Sequence, residues 1–528
     1  MPSGRFRLVF ILFCAASVAV TSTRLRGDGD RASRVAAIVA GVDRVAGQGP
    51  FAPAWSSLEG FQPPAWYQDG KFGIFIHWGL YSVPAYGNEW YPRNMYKQGT
   101  PEFEHHVATY GPQAEFGYKD FIPRFTMDRF DPRDMAALFR RAGAQFVVPV
   151  AEHHDGFAMY DEPRTRWKAP LVGPRRDAYG ELIAEAGRQW LIPGASSHRA
   201  EHWFYFNGGA RFPSDVLDPE FADLYGPAQR EETSPNEAFL EDWLLRTVEI
   251  IDRYRPQVLW FDWWIETPGF EPYLRKLAAY YYNRAAEWGR EVVLKHKHNA
   301  FPAGTAVFDV ERGGLAGIRE QPWQNDTSVS RNSWGWIEGH DYKTVRDIVD
   351  ELIDVVAKNG CLLLNVGPKP DGTVPGPERE LLEGVGAWLN VNGEAIYGTS
   401  PWVVAGEGPT TVPEGSFTDG SPLRFTARDY RFTQHVYPGE TYVYAMSTAW
   451  PEDGTARITT LGRASGVTVP GIREVVLLGD GKALAFRRTD EALEVDLPAR
   501  PESAFGPALR ITLAEPEPSR RGGWLHNE

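Results

Sequence analysis

The run FGIFIHWG at Phe72–Gly79 decides how the rest of the chain is read. Its first five residues are apolar without alternation, as expected of a parallel strand covered on both faces. It then ends in a histidine and a tryptophan. Six more runs have a largely apolar stretch of this kind, FVVPVAEHH from Phe146, WLIPGASSH from Trp190, VLWFDWW from Val258, EVVLKHKH from Glu291, AVFDVERGG from Ala306 and CLLLNVGP from Cys361, and the mainly polar WQNDTSV from Trp323 is read with them as a further strand. Helical stretches lie between several of them. Asp131-Pro132 supplies a cap and an N1 proline ahead of MAALFRRAG, and apolar residues recur at helical spacing over 238–254, 272–288 and 343–358. Eight strands with intervening helices predict a (β/α)8-like barrel, α/β in class.

Nearly every run closes on residues capable of chemistry: His77, His153 and His154, His198, Asp262, His296 to His298, Glu311 and Asn365. In a barrel, carboxyl ends of strands converge on one face, so this regularity predicts an enzyme site there. The segment after the first run, LYSVPAYGNEWYPRNMY to Tyr96, adds aromatic rings and the carboxylate of Glu89. Flat apolar faces beside hydroxyl-directed polar groups suit a sugar cleft. Nineteen Trp, 22 Tyr and 29 Phe fit that reading.

Beyond Tyr397 the pattern changes to short alternating segments (TYVYAMST, ARITTL, EVVLLG, ALAFRR, ALEVDL) separated by Gly, Pro and Asp turns. That predicts an antiparallel β-sandwich packed on the barrel, with glycan binding as its lesser alternative. At the other end, Arg5 and Arg7 precede an apolar run from Leu8 to Val20 with small residues inside it, the layout of a signal peptide. The expected organisation is a signal over 1–22, a linker with one short helix over 23–57, the barrel over 58–395, the sandwich over 396–516 and a tail over 517–528. The mature protein is then expected to be secreted or periplasmic, off the membrane, and to hold one cysteine, Cys361, so no intrachain disulfide. Asn325-Asp326-Thr327 is a formal glycosylation sequon. The net charge of −14 argues against a nucleic-acid partner, and oligomeric state stays open.

Asp262 and Glu311 stand at the ends of different strands, where two carboxylates can face each other across a ligand, as glycoside hydrolysis requires. Asp309 competes with Glu311, because alternate strand residues share a face. His153-His154-Asp155 resembles a metal set, but adjacent strand residues point to opposite faces, and neither HExxH nor paired CxxC spacing occurs. Ser196-Ser197-His198 lacks the GxSxG elbow of a serine hydrolase. No metal and no cofactor are expected.

The motifs FGIFIHWGLYSVPAYGNEWYPRNMY, HHDGFAMY, LWFDWW, LLLNVGPKPDG and AIYGTSPW, in order from about Trp66 to Trp402, resemble those of the α-L-fucosidases of glycoside hydrolase family 29. The resemblance implies a retaining exo-hydrolase that releases terminal L-fucose from oligosaccharides or glycoconjugates through a covalent intermediate. It implies Asp262 as nucleophile and Glu311 as acid/base. His77, Glu89, Trp90, His153 and His154 match positions that hold the sugar, and the 323–336 segment with Trp336 matches one lining the pocket mouth. The chain departs from the pattern at Glu152, where a Lys commonly stands, and at Ser196 and Ser197, which replace an aromatic pair. Lys297 stands in for a sugar-contacting Arg, and His198 with His202 for a missing tyrosine hydroxyl. A related sugar such as a galactoside, or fucose binding without catalysis, are the alternatives.

Overall fold

The computed structural model describes residues 35–501 and 505–514. All eight expected strands form: β1 Phe72–Ile76, β2 Phe146–Glu152, β3 Ile192–Ser197, β4 Val258–Phe261, β5 Val293–His296, β6 Val307–Glu311, β7 Trp323–Ser328 and β8 Gly360–Val366. They pair in sequence order, all parallel, and β8 closes on β1 through Phe72↔Leu362 to Ile76↔Val366. β1, β2, β4 and β8 are buried along their whole length, which explains why they are apolar up to Glu152 of β2 and Asn365 of β8. Trp243, Trp260 and Trp323 are fully buried in the core, each contributing about 2–3 kcal/mol or more through area removed from water.

The expected helices form at Pro132–Arg141, Glu237–Tyr254, Glu271–Trp288 and Val345–Ala357, joined by Ala178–Arg188 and Gly376–Asn392. Asp131 caps the first, accepting from the amides of Arg133 and Asp134 at 2.9 and 3.1 Å. Thr344 and Asp347 cap Val345–Ala357 reciprocally, so that helix begins two residues later than its apolar spacing suggests. No helix follows β5 or β6; residues 297–306 and 312–322 cross as turns and irregular chain. The barrel is therefore a variant with an incomplete outer layer.

One boundary needs correction. The segment expected as a linker contains a helix over 35–48 whose Val42 and Ala46 are buried in the barrel core. The Asn283 amide nitrogen donates to the carbonyls of Val45 and Phe51, both at 2.9 Å, tying this segment to Glu271–Trp288. Val35, Ile38, Val39, Val42 and Val45 do follow helical spacing, but surrounding Arg and Gly residues disguise it. The barrel unit thus starts no later than the helix. The signal and the tail expectations lie outside the described residues. Among the described residues no helix is long and apolar enough to cross a membrane.

The C-terminal domain has two antiparallel sheets. One is five-stranded, in the order β13-β16-β11-β10-β9, with β9 Ser400–Glu407, β10 Tyr430–Tyr437, β11 Glu440–Met446, β13 Ile472–Leu477 and β16 Ala508–Leu513; the other is three-stranded, β12-β15-β14, with β12 Thr455–Ile458, β14 Phe486–Arg488 and β15 Leu493–Asp496. A core including Trp402, Phe432, Val443, Val475 and Ile511 lies between them. The long β9–β10 connection turns back to the barrel. Gly415 forms an isolated bridge with Gly314, and Val412 and Leu423 pack on the barrel core, where the helix after β6 is missing.

Candidate active site

A cavity of about 300 Å3 opens at the carboxyl ends of the strands. Its walls include His77, Glu89, Trp90, His153, His154, His198, Asp262, Lys297 and Glu311, so nine of the ten residues singled out in the sequence meet around one space. Trp336 does not reach it. Its ring lies 4.7 Å from Lys369 Nζ and 5.3 Å from His340, outside the cavity, and Trp334 takes the wall position instead. In the turn Ser333-Trp334-Gly335 the carboxylate of Glu89 fixes the chain: Glu89 Oε2 accepts from the Trp334 amide at 2.9 Å and from Ser333 Oγ at 3.3 Å.

Asp262, just past β4, is the best-partnered carboxylate. Its Oδ2 accepts from His198 Nδ1 at 2.9 Å and lies 3.3 Å from His154 Nε2, while Lys297 Nζ stands 3.6 Å from Oδ1. Burial alone would raise its pKa. The Lys297 charge and the two histidine hydrogen bonds overcome that and hold the carboxyl well below the usual range. Asp262 is thus ionised and aimed, with its oxygens fixed by three cationic or N–H partners.

Glu311 closes β6. Lys297 Nζ donates to its Oε2 at 2.5 Å, and Trp263 Nε1 donates to the same oxygen. The alternation question resolves by depth. Asp309 lies two residues nearer the barrel centre, where Oδ2 accepts from Trp260 Nε1 at 2.7 Å and Oδ1 from Gln324 at 2.8 Å. It has no place in the cavity wall; Glu311 has.

Lys297 touches a third carboxylate, Asp326 of β7, at 3.2 Å. Burial would lower the lysine, yet Asp326, Glu311 and Asp262 hold it charged, well above its ordinary range. Asp326 goes the other way: burial first, then repulsion from Asp309, pushes its carboxyl well up against the pull of Lys297.

The histidines divide by charge. His77 Nδ1 donates to Asn365 Oδ1 at 2.8 Å, and burial lowers its pKa, so a neutral ring turns Nε2 to the cavity. His198 is neutral too, pushed down to about 4 by burial, with Ser196 Oγ 3.2 Å from its Nε2. Ser196, His198 and Asp262 therefore stand in triad order, but Ser196 is fully buried and outside the cavity wall, so it fixes the ring rather than meeting a substrate. His154 differs. Its Nδ1 faces the His198 carbonyl at 3.0 Å and Glu201 Oε2 at 3.2 Å, and its Nε2 faces Asp262. Both nitrogens meet acceptors, so the ring is an imidazolium: although burial lowers it, Glu201 and Asp262 raise its pKa to about 9. Glu201 is itself pushed up to about 7 by burial. Trp90 lies against this ring, centroids 5.0 Å apart.

Glu152, His202 and the sequon now have places. Glu152 is buried behind the site and paired with Arg199 and Arg246 at 2.9 and 3.0 Å. His202 does not reach the cavity; its Nδ1 donates to the His154 carbonyl at 2.8 Å. Asn325 is 2% exposed, and its Oδ1 accepts from the Gly313 amide, so the sequon is buried within β7. As for metals, His77, His153 and His198 bring ligand nitrogens within 4.8 Å of one another, as do His154, His198 and Asp262. His153 and His154 lie just past the end of β2 and both line the cavity with ring centroids 4.3 Å apart, so the opposite facing expected of strand neighbours does not hold; His198 is common to the two groups.

Sequence reasoning missed Glu201, Trp263 and Phe417, and it did not single out Asp326 and Trp334 within the 323–336 segment expected at the pocket mouth, through which that segment meets the cavity. Asp326 was within reach, since Gln324, Asp326 and Ser328 alternate along β7. Glu201 carried no signal of its own.

The family described as Alpha-L-fucosidase matches residues 38–394, and the Alpha-L-fucosidase C-terminal domain matches 425–512. The chain is 32% identical over 478 residues to the tissue alpha-L-fucosidase of Bos taurus, covering 88% of this chain and 90% of that one. It is 29% identical over 470 residues to the plasma alpha-L-fucosidase of Homo sapiens, covering 85% and 88%. The Thermotoga maritima alpha-fucosidase crystal structure superposes with a TM-score of 0.69 at 28% identity, over 88% of this chain and all of that one. The chain therefore belongs to the α-L-fucosidase family, and it is a glycoside hydrolase of that activity.

Proposed function

We propose that the protein is a retaining exo-α-L-fucosidase acting outside the cytoplasm on fucosylated oligosaccharides or glycoconjugates, with Asp262 as nucleophile and Glu311 as acid/base. One observation carries the reading. Lys297 Nζ is 3.6 Å from Asp262 Oδ1 and 2.5 Å from Glu311 Oε2, so those oxygens can be no farther apart than the two distances end to end. That limit falls below the roughly 6.5–9.5 Å that an inverting pair needs to admit water between its carboxyls. It supports direct attack on the anomeric carbon instead.

In this mechanism Glu311, in its acid form, gives its proton to the glycosidic oxygen as Asp262 attacks C1 and the C1–O bond breaks. Water then enters, Glu311 takes its proton, and the Asp262 ester is displaced, restoring the anomeric configuration. Neutral His77 and the Glu89 carboxylate offer hydrogen-bond partners for the sugar hydroxyls, and Trp90 and Trp334 offer apolar faces. The His154 imidazolium and Lys297 keep Asp262 anionic before attack and stabilise it as a leaving group in the second step.

The test is Asp262→Gly. Turnover of an aryl α-L-fucoside should vanish, and azide should restore it as β-fucosyl azide. Wild-type-like hydrolysis by the variant, or rescue giving the α-azide, would sink the assignment.

A further inference from the structure

The β9–β10 connection belongs to the C-terminal half of the chain, yet it supplies one wall of the cavity. Phe417 lines that cavity and is 60% exposed. Its place is built. The Phe417 amide donates to the Glu311 carbonyl at 2.9 Å, and the Thr418 amide to the Arg312 carbonyl at 2.8 Å. Asp419 Oδ2 accepts from Lys343 Nζ at 2.8 Å and Thr327 Oγ1 at 2.9 Å, and Arg312 Nη1 lies 3.3 Å away. A Cβ at Gly313 would fall 1.8 Å from the Gly415 carbonyl oxygen, so this close approach needs a glycine there.

So large an apolar ring, held in water by a buried ionic anchor, gains nothing for stability. Beside it is Trp263, whose Nε1 donates to Glu311. The two rings are near parallel, 15° apart, with centroids separated by 6.0 Å. A pyranose sandwiched between two rings needs about 7–8 Å, two carbon contact distances. The pair therefore offers a stepped platform, not a slot.

We propose that Trp263 and Phe417 form the leaving-group subsite, a platform on which the pyranose next to the departing fucose stacks. The inference rests on Glu311 being the acid. The acid must touch the glycosidic oxygen, so the leaving sugar lies on the outward side of Glu311, where these rings are. Phe417 acts on specificity: it binds the part of the substrate that the fucose pocket does not touch, and that binding is realised as the bond breaks.

The experiment compares kcat/KM for a fucosyl–galactose disaccharide with kcat/KM for α-L-fucosyl fluoride, which has no leaving sugar. Both report the first chemical step. In Phe417→Ala the disaccharide-to-fluoride ratio should fall about tenfold, as expected for a lost stacking contact. Phe417→Trp should keep the wild-type ratio, and Phe417→Leu, which retains bulk without a flat face, should fall with the alanine variant. An unchanged ratio in Phe417→Ala, even with both rates reduced, overturns the proposal and leaves Phe417 as a support for Glu311. A leucine variant matching wild type also overturns it. Failure of the acid assignment would be read separately, from the leaving-group dependence of Glu311→Ala.

Discussion

Replacing Lys297 with Met removes one charge from the centre of the site while keeping most of the stem. At 3.6 Å from Asp262 Oδ1, and with an effective dielectric of about 20, that charge is worth about 4–5 kcal/mol to the ionised carboxylate, or roughly three pKa units. In the wild type the folded pKa of Asp262 lies below its unfolded value. It thus contributes stability that is present above the unfolded pKa, near 4, and lost as pH falls through the folded one. Without Lys297 the folded pKa of Asp262 rises, as do those of Glu311 and Asp326, which face the same ammonium. Each pH unit across the raised range then costs about 1.4 kcal/mol per carboxyl. Breaking a buried ion group by removing one partner costs about 3–5 kcal/mol near neutrality. Thermal midpoints of wild type and Lys297→Met, measured at pH 4.5, 6.0 and 7.5, should therefore diverge as pH rises. The acid limb of kcat/KM should move upward too, because the proposed mechanism needs Asp262 ionised. A midpoint gap that is constant across the three values would refute the electrostatic account. So would a variant whose acid limb stays put.

Glu201→Gln removes the largest influence holding His154 protonated, so the ring should titrate roughly one to two pH units below its wild-type value of about 9. Because the wild-type value is raised, the stability His154 contributes is present below pH ~6.5 and lost as pH rises through 9, and the variant should lose it earlier. Histidine NMR titration and the alkaline limb of kcat/KM check this together; a ring that titrates as before would defeat it. Glu311→Ala should slow substrates with poor leaving groups most, by about 10²–10⁴-fold, because they need protonation. An equal loss across aryl fucosides of different leaving-group pKa would move the acid role to another residue.

Most of the barrel was legible because parallel strands buried on both faces are largely apolar, and a break into His, Asp or Glu marks where several of them leave the core; β7, WQNDTS, is buried throughout yet polar. That is why β4 could be read as ending at Asp262 and β6 at Glu311. The outer layer was harder. The helix over 35–48 mixes its apolar face with Arg and Gly, and the missing helix after β6 is replaced by chain from beyond β9, a contact across a hundred residues that no local pattern encodes. Within the site, Asp262 and Lys297 could be picked by type and position. What Glu201 does could not, since it acts through His154, a contact 47 residues away along the chain that no local pattern encodes. Trp334 and Trp336 differ only in which way a short turn faces, and the amide grip of Glu89 on Trp334 decides it.

The two family matches end at residue 394 and resume at 425. The gap holds Phe417 and Asp419, which finish the barrel wall. Two relatives aligned domain by domain could agree throughout both matched regions and still differ in which glycans they trim. The barrel half alone, cut at residue 394, would keep Asp262 and Glu311 but lose the amide of Phe417 on the Glu311 carbonyl. On the proposed role of Phe417, the join between modules is itself a working part, and swapping it between homologues should change selectivity.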